Sequence, residues 1–190
     1  MEVIVKEVTS NEIVMNSARL TIWKEPLDKE PSYQFMDNMY MAEHSPIRCK
    51  EFWIEIHDVK SWVITHLLRH HVGSTPFIST QRDDRIQYEG SRDDRPQGSL
   101  VNAGFYINSQ ALINMAKKRL CFQAHEETRQ LMLEIKRKVE EVDPALSYKM
   151  VPECVYRGFC PELSCCGFCR TNGAKEMRIQ YIGNRQRIKY

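Results

Sequence analysis

The sequence predicts an α+β fold, because strand-like and helical segments occur together in one chain of 190 residues. Residues 2–8 are rich in β-branched side chains, and the run Glu51–Ile56 places alternate apolar side chains on one face, as strands do. Longer segments repeat apolar residues at helical spacing, and the chain is long enough to bury a core without disulfides. We therefore expect one main domain over residues 1–150 and a small cysteine-rich tail over residues 151–190.

The elements of the first half follow from local patterns. The residues that favour a helix start, Thr9 to Glu12, precede a short helix that includes Met15 and Ala18-Arg19. Prolines at positions 26 and 31 indicate a turn region. The spacing of apolar residues then predicts, in order, a helix over Tyr33–Met41, the strand Glu51–Ile56, and a helix over Val59–His70 that ends before Gly73.

The second half begins with residues 79–99, the least apolar stretch of the chain. We interpret it as a loop, which either covers a site as a lid or is simply solvated. Apolar residues at helical spacing predict two further helices, over Asn108–Arg119 and Glu126–Val142.

Composition excludes several classes of protein. Hydrophobic residues make up 42% of the chain and charged residues 27%, which is typical of a globular protein and not of a disordered one. No apolar run is long enough to span a membrane, and the residues after Met1 do not resemble a secretory leader, so we expect a cytoplasmic protein. The net charge of +2 means that any anion site must be local, and it does not favour a nucleic-acid partner.

The triplet Arg69-His70-His71 is the most informative segment. Three adjacent cationic or titratable side chains at a helix end repel one another unless the helix dipole or an anion compensates them. A bound phosphate or a flavin would serve, and a solvated basic helix end is the simpler alternative. His66 and His70, one helical turn apart, could also bind a metal, although no third ligand is placed nearby.

The triplet, followed after seven residues by Ser79, resembles the Arg-His-Arg-x7-Ser signature of the flavin-dependent thymidylate synthases, with His71 in place of the second arginine. Other segments resemble that family in the same order along residues 1–142, and this colinearity makes the resemblance specific. They are Ala18-Arg19, His44-Ser45-Pro46-Ile47, Asn108-Ser109-Gln110-Ala111-Leu112, and the stretch from Arg119 through Ala124 and Glu127 to Arg129.

The resemblance implies a fold, an activity and an assembly. It implies a mixed sheet with flanking helices and a homotetramer with sites between subunits. The implied enzyme is a flavoprotein methyltransferase of nucleotide biosynthesis, which converts dUMP to dTMP by methylating the pyrimidine C5. Methylenetetrahydrofolate provides the carbon, and FAD, reduced by NADPH, provides the hydride. The protein itself would act by positioning and electrostatics, without a covalent nucleophile.

The resemblance also assigns site residues by position. The FAD-binding residues would be Arg69, His70, His71, Ser45, Asn108 and Asn114. The substrate-binding residues would be Ser79, Gln81, Arg82 and Arg119. Arg119 would in addition be the catalytic residue, because it matches the arginine that grips and polarises the pyrimidine.

Five positions depart from the family pattern: His66 replaces Gln, Phe77 replaces Glu, and His71, Gln81 and Gln110 each replace Arg. Glutamine cannot reproduce the bidentate grip of arginine on a phosphate, so Arg82, Arg85 or Arg92 must substitute, or the acceptor differs. Two other functions therefore stay open. One is a flavin and folate enzyme with a different pyrimidine acceptor or a hydroxymethyl product. The other is a non-catalytic relative that binds nucleotide or nucleic acid and carries a zinc module.

The tail contains five cysteines within residues 154–169. A disulfide framework suits small secreted domains, which this chain does not resemble. We expect a structural Zn²⁺ held by Cys154, Cys160, Cys165 and Cys169, with Cys166 as the spare thiol. An iron–sulfur cluster, a redox or catalytic thiol, and plain reduced cysteines are the alternatives.

Overall fold

The fold is built on a four-stranded sheet in a computed structural model that describes residues 1–85 and 90–183. The strand order is β1-β2-β4-β3. The strands are β1 (Glu2–Glu7), β2 (Glu51–Lys60), β3 (Ser74–Ile78) and β4 (Leu100–Asn108). The α+β class is confirmed, but the sheet is not mixed, because all three strand pairings are antiparallel. Strands β3 and β4 pair directly, and β4 returns beside β2, so no parallel crossover connects neighbouring strands.

Helices flank this sheet and also form most of the tail. They are α1 (Asn11–Leu20), α2 (Tyr33–Met41), α3 (Ser61–Leu68), α4 (Ser109–Arg119), α5 (Glu126–Val142), α6 (Pro144–Ser147), α7 (Glu153–Arg157) and α8 (Asn172–Ile182). Short 3-10 helices occupy Ser45–Cys49, Arg92–Asp94 and Phe168–Arg170. None of the helices within residues 1–85 and 90–183 is long and apolar enough to cross a membrane.

The two faces of the sheet differ in burial. Phe52, Ile54 and Ile56 of β2 are buried in a core that also includes Leu112 of α4 and Leu131 of α5, as the alternating pattern predicts. The opposite face carries an aromatic patch, which we define as Trp53, Phe77 and Tyr106. The Trp53 indole covers Gly104, where an added Cβ would lie only 2.5 Å from Trp53 Cη2. Gly104 is therefore required by the close approach of this ring.

The sequence patterns did not predict β3 and β4. Pro76 lies inside β3, which tolerates a residue without an N–H because it is an edge strand. The predicted helix over Val59–His70 also starts later, at Ser61, because β2 continues through an irregularity between Ile56 and Val59 to Lys60.

The tail packs against the main domain through α7. Val151, Val155 and Tyr181 form a small apolar cluster, and α7 contacts both α8 and α4. The Lys149 ammonium donates to the Tyr181 carbonyl at 3.2 Å and pairs with Asp37 at 2.6 Å. The end of the predicted tail, residues 184–190, lies outside the part of the chain that the structure describes.

Candidate active site

The ends of α3 and α4 meet at a hydrogen bond between two side chains. Helix α3 ends at Leu68 with Arg69 as its C-cap, and α4 ends at Arg119. Arg119 Nε donates to His70 Nε2 over 3.0 Å. Both residues were predicted as site residues from different segments of the sequence, and the fold brings them into direct contact.

The surroundings of this pair are strongly cationic. Burial, together with the charges of Arg119, His71 and Lys118, lowers the pKa of His70 to about 4. Burial and then Arg69 lower the pKa of the Arg119 guanidinium. Among the residues that the structure describes, Arg69, His71 and Arg119 form no ion pair with an acidic side chain. This uncompensated charge suits an anionic ligand.

His66 lies beside this cluster but is held by the protein. Its Nδ1 is 2.8 Å from Thr128 Oγ1 on α5, and Trp62 packs edge-on against its ring at a centroid distance of 5.7 Å. Burial, followed by the charges of Arg119 and Arg69, lowers the pKa of His66. These contacts give His66 a structural role in packing α3 against α5. In residues 1–85 and 90–183, no group of three or more potential ligands could hold a metal ion.

A cleft of about 410 Å³ opens next to His70. One wall comes from α4 and includes Asn114, Lys117 and Lys118, and the other comes from α7. Lys117 Nζ lies 3.5 Å above the ring of Tyr156 and 2.7 Å from a Glu43 carboxylate oxygen. The α7 residues of the cleft were not predicted, because the tail was treated as a separate unit. They are Glu153, Tyr156 and Arg157.

The predicted amide side chains have defined positions. Asn108 is the N-cap of α4, and its Oδ1 accepts a hydrogen bond from Ala111 N at 2.9 Å. Its backbone N–H donates to the Gly73 carbonyl at 3.0 Å, and a Cβ at Gly73 would lie 2.6 Å from Asn108 Nδ2. Asn114 is exposed at the cleft, where its Oδ1 accepts from Gln110 Nε2 at 3.4 Å. Ser45 is exposed at the start of a 3-10 helix.

Ser79, Gln81 and Arg82, unlike the fourth predicted substrate residue Arg119, lie at or beyond the other end of the β3–β4 pair. Ser79 N donates to the Asn102 carbonyl at 2.9 Å, and Asn102 N donates to Ser79 Oγ at 3.0 Å. Asn102 is six residues before Asn108 on β4, which corresponds to roughly 20 Å along a strand. Within one copy of the chain, Ser79 is thus distant from the Asn108 end of the sheet.

The neighbours of Ser79 lie in the loop that follows β3. Gln81 is partly buried there, and Arg82 is exposed. The Arg82 guanidinium forms a bidentate pair with Asp84, at 2.9 and 2.7 Å. An exposed pair of this kind contributes about 0–1 kcal/mol, so a phosphate can displace Asp84 at little cost.

The four predicted zinc ligands are not gathered into a metal site. Cys165 Sγ and Cys169 Sγ approach to 3.6 Å, whereas Cys154 lies on α7 and packs with the apolar cluster of Val151 and Val155. Burial and the nearby thiols of Cys121, Cys169 and Cys160 raise the pKa of Cys154. Within residues 1–85 and 90–183 no group of three or more ligands could hold a metal ion, so the predicted zinc site is not supported.

No protein-family profile and no curated protein match this chain, but solved structures do. A flavin-dependent thymidylate synthase from Helicobacter pylori, complexed with FAD and dUMP, superposes with a TM-score of 0.66 over 80% of this chain and 100% of that one. The chain has the flavin-dependent thymidylate synthase fold. A UMP/dUMP methylase, PolB from Streptomyces cacaoi, superposes with a TM-score of 0.61 over 83% of this chain and 96% of its own. Each is 12% identical to this chain, so the likeness establishes the fold, and an argument for function rests on the residues above.

Proposed function

We propose that this protein is a flavin-dependent methyltransferase that methylates C5 of a pyrimidine nucleotide, of the dUMP-to-dTMP type. The observation that carries the proposal is the contact between Arg119 and His70 within a cationic cluster of this fold. The thymidylate synthase from Helicobacter pylori holds FAD and dUMP on the same fold.

The donor set around the cleft fits FAD. The diphosphate of this cofactor requires cations and N–H donors. Lys118 lines the cleft, and Arg69 and His71 lie close enough to Arg119 and His70 for their charges to lower the pKa values of that pair. His70 and Asn114 line the cleft, while Asn108 and Ser45 complete the set that would hold FAD. When bound, FAD supplies the hydride of the reaction, with NADPH as the reductant and methylenetetrahydrofolate as the carbon donor.

Arg119 is the residue that we assign to the pyrimidine. His70 accepts the Nε–H of Arg119, which fixes the plane of the guanidinium and leaves its terminal amino groups to bind a base carbonyl. Partial burial strengthens such an electrostatic contact, because water screens it less. The chain would thus polarise the pyrimidine ring through a positioned cation.

We further propose a homotetramer whose sites combine residues of different copies. Ser79 pairs with Asn102, roughly 20 Å along β4 from Asn108, and Gln81 and Arg82 follow in the loop after β3. We therefore assign these three residues to the cleft of another copy. The aromatic patch supports association, because Phe77 is 55% exposed and Tyr106 is 36% exposed on a sheet face that no helix of the described residues covers.

A different acceptor is the second candidate. Gln81 and Phe77 replace residues that bind the nucleotide in the resembling family, and the related PolB fold belongs to a UMP/dUMP methylase. A site that binds the nucleotide phosphate through different residues is compatible with UMP as well as dUMP as the acceptor. The second candidate also includes a hydroxymethyl product in place of a methyl product.

Turnover with defined nucleotides tests the proposal. The purified protein is supplied with FAD, NADPH and methylenetetrahydrofolate, and dUMP or UMP is then followed by mass spectrometry. We expect a methylated product from one of them, and a hydroxymethylated product would identify the second candidate. A protein that binds nucleotide but neither retains FAD nor converts any pyrimidine would support the non-catalytic alternative.

A further inference from the structure

A cluster of thiols lies at the turn before the 3-10 helix Phe168–Arg170, outside the cleft. Cys165 Sγ is 3.6 Å from Cys169 Sγ, and Cys160 also interacts with Cys165. Cys165 is exposed, while Cys160 and Cys169 are partly buried. Cys165 is therefore the central thiol of the group, and oxidants can reach it from solvent.

The local backbone prepares Cys165 for reaction. Gly167 has a φ of +86°, a left-handed conformation that glycine adopts without strain, and this turn brings residues 165 and 169 together. Gly167 N–H donates to Cys165 Sγ at 3.4 Å. Cys165 is exposed, whereas Cys169 is partly buried and lies 3.6 Å away. A dissolved oxidant therefore reaches Cys165 first, and Cys169 is close enough to attack the oxidised sulfur.

We propose that Cys165 and Cys169 form a reversible, redox-active dithiol whose oxidising substrate is a hydroperoxide. The Cys165 thiolate attacks the O–O bond, an S–O bond forms, and the leaving oxygen departs as water or an alcohol. The Cys169 sulfur then attacks the resulting sulfenic acid, an S–S bond forms, and water leaves. The peroxide is reduced by two electrons, and the two thiols are oxidised. A second dithiol restores the reduced pair by thiol–disulfide exchange.

The sequence allows the bond to be located. Four of the cysteines share one tryptic peptide, but chymotrypsin cleaves after Leu163 and after Phe168 and so separates Cys160, the Cys165-Cys166 pair and Cys169. The reduced, full-length protein is treated with one equivalent of hydrogen peroxide, and the remaining thiols are alkylated. We expect the intact mass to fall by two hydrogen atoms, and the fragment ending at Phe168 to be linked to the fragment that begins at Cys169.

Two matched variants assign the partner within the fragment. Cys166→Ser, which removes the adjacent exposed thiol, should leave the linkage intact, whereas Cys165→Ser should abolish it and leave Cys169 free to be alkylated. Dithiothreitol should restore all thiols in the wild type. A linkage that survives in Cys165→Ser, or oxidation that stops at sulfinic acid, would overturn the proposal. So would a tightly bound metal ion that shields these thiols from both peroxide and alkylation.

Discussion

The imidazole of His70 accepts a hydrogen bond from Arg119 Nε at 3.0 Å. A protonated imidazole has no free lone pair, so His70 must be neutral at Nε2 for this contact to exist. The pKa of about 4 and the surrounding positive charges are consistent with a neutral ring at physiological pH. The contact makes the position of the arginine sensitive to pH.

Stability should decrease in mild acid through His70. Its pKa falls from 6.5 to about 4 on folding, so between these values the unfolded chain binds a proton that the folded chain does not. The free energy of unfolding should therefore decrease as the pH falls from about 6.5 towards 4. Urea unfolding at several pH values measures this, and His70→Gln should show a shallower decrease. His44→Gln, at an exposed histidine that is not among the groups that lower the pKa of His70, serves as the control. Equal slopes in wild type and His70→Gln would contradict the assignment.

Arg119→Lys should separate cofactor binding from turnover. Lysine keeps a positive charge but loses both the planar guanidinium and the Nε–H that His70 accepts. We expect product formation to fall roughly 100-fold or more while FAD stays bound, measured by nucleotide mass spectrometry and flavin absorbance. Arg137→Lys, on the exposed side of α5, should retain wild-type turnover. Unchanged turnover in Arg119→Lys would remove this arginine from the site.

The role of Asn108 as the N-cap of α4 and its proposed role as an FAD-binding residue can be tested separately. Asn108→Ala removes the N-cap of α4 and should lower the free energy of unfolding by about 1 kcal/mol. Asn108→Asp keeps an oxygen acceptor for Ala111 N but loses the amide donor. If the amide contacts the cofactor, Asn108→Asp should weaken FAD binding at nearly wild-type stability. Full FAD affinity in this variant would limit Asn108 to its structural role.

Gly104 and Trp53 should be energetically coupled. In Gly104→Ala the new Cβ would meet the indole at 2.5 Å, so the ring must move, and we expect a loss of about 1–3 kcal/mol. In a Trp53→Leu background the same change should cost much less. Denaturant unfolding of the four proteins of this double-mutant cycle gives the coupling energy, and additive effects would show that the ring does not restrict position 104.

Local patterns predicted the fold where one physical effect dominates. The alternation of apolar residues in β2 and their helical spacing in α4 and α5 arise because these elements bury one face in the same core. The structure confirms all three elements. Strands β3 and β4 were missed because Pro76 and Gly104 are unfavourable in strands by themselves. Pro76 is tolerated because β3 is an edge strand, and Gly104 is required because the Trp53 ring packs over it. Both reasons depend on tertiary structure, which a local sequence pattern does not contain.

The candidate site was predictable to a similar extent. The triplet at residues 69–71 and Arg119 could be chosen from the sequence, but their hydrogen bond depends on how α3 and α4 end in space. The wall contributed by α7 could not be anticipated, since nothing in the segment Glu153–Arg157 indicates that it packs on α4. The wide spacing of the cysteines likewise did not reveal that Cys154 faces an apolar cluster.

The shared wall of the cleft has an evolutionary consequence. Because Lys117 of the main domain lies against Tyr156 of the tail, neither residue can change freely without the other. Sequences descended from a common ancestor with this protein should substitute the two positions together. A lineage that lost the tail would have had to rebuild that side of the cleft from another segment. We therefore expect the tail to be retained wherever α4 keeps this side of the cleft.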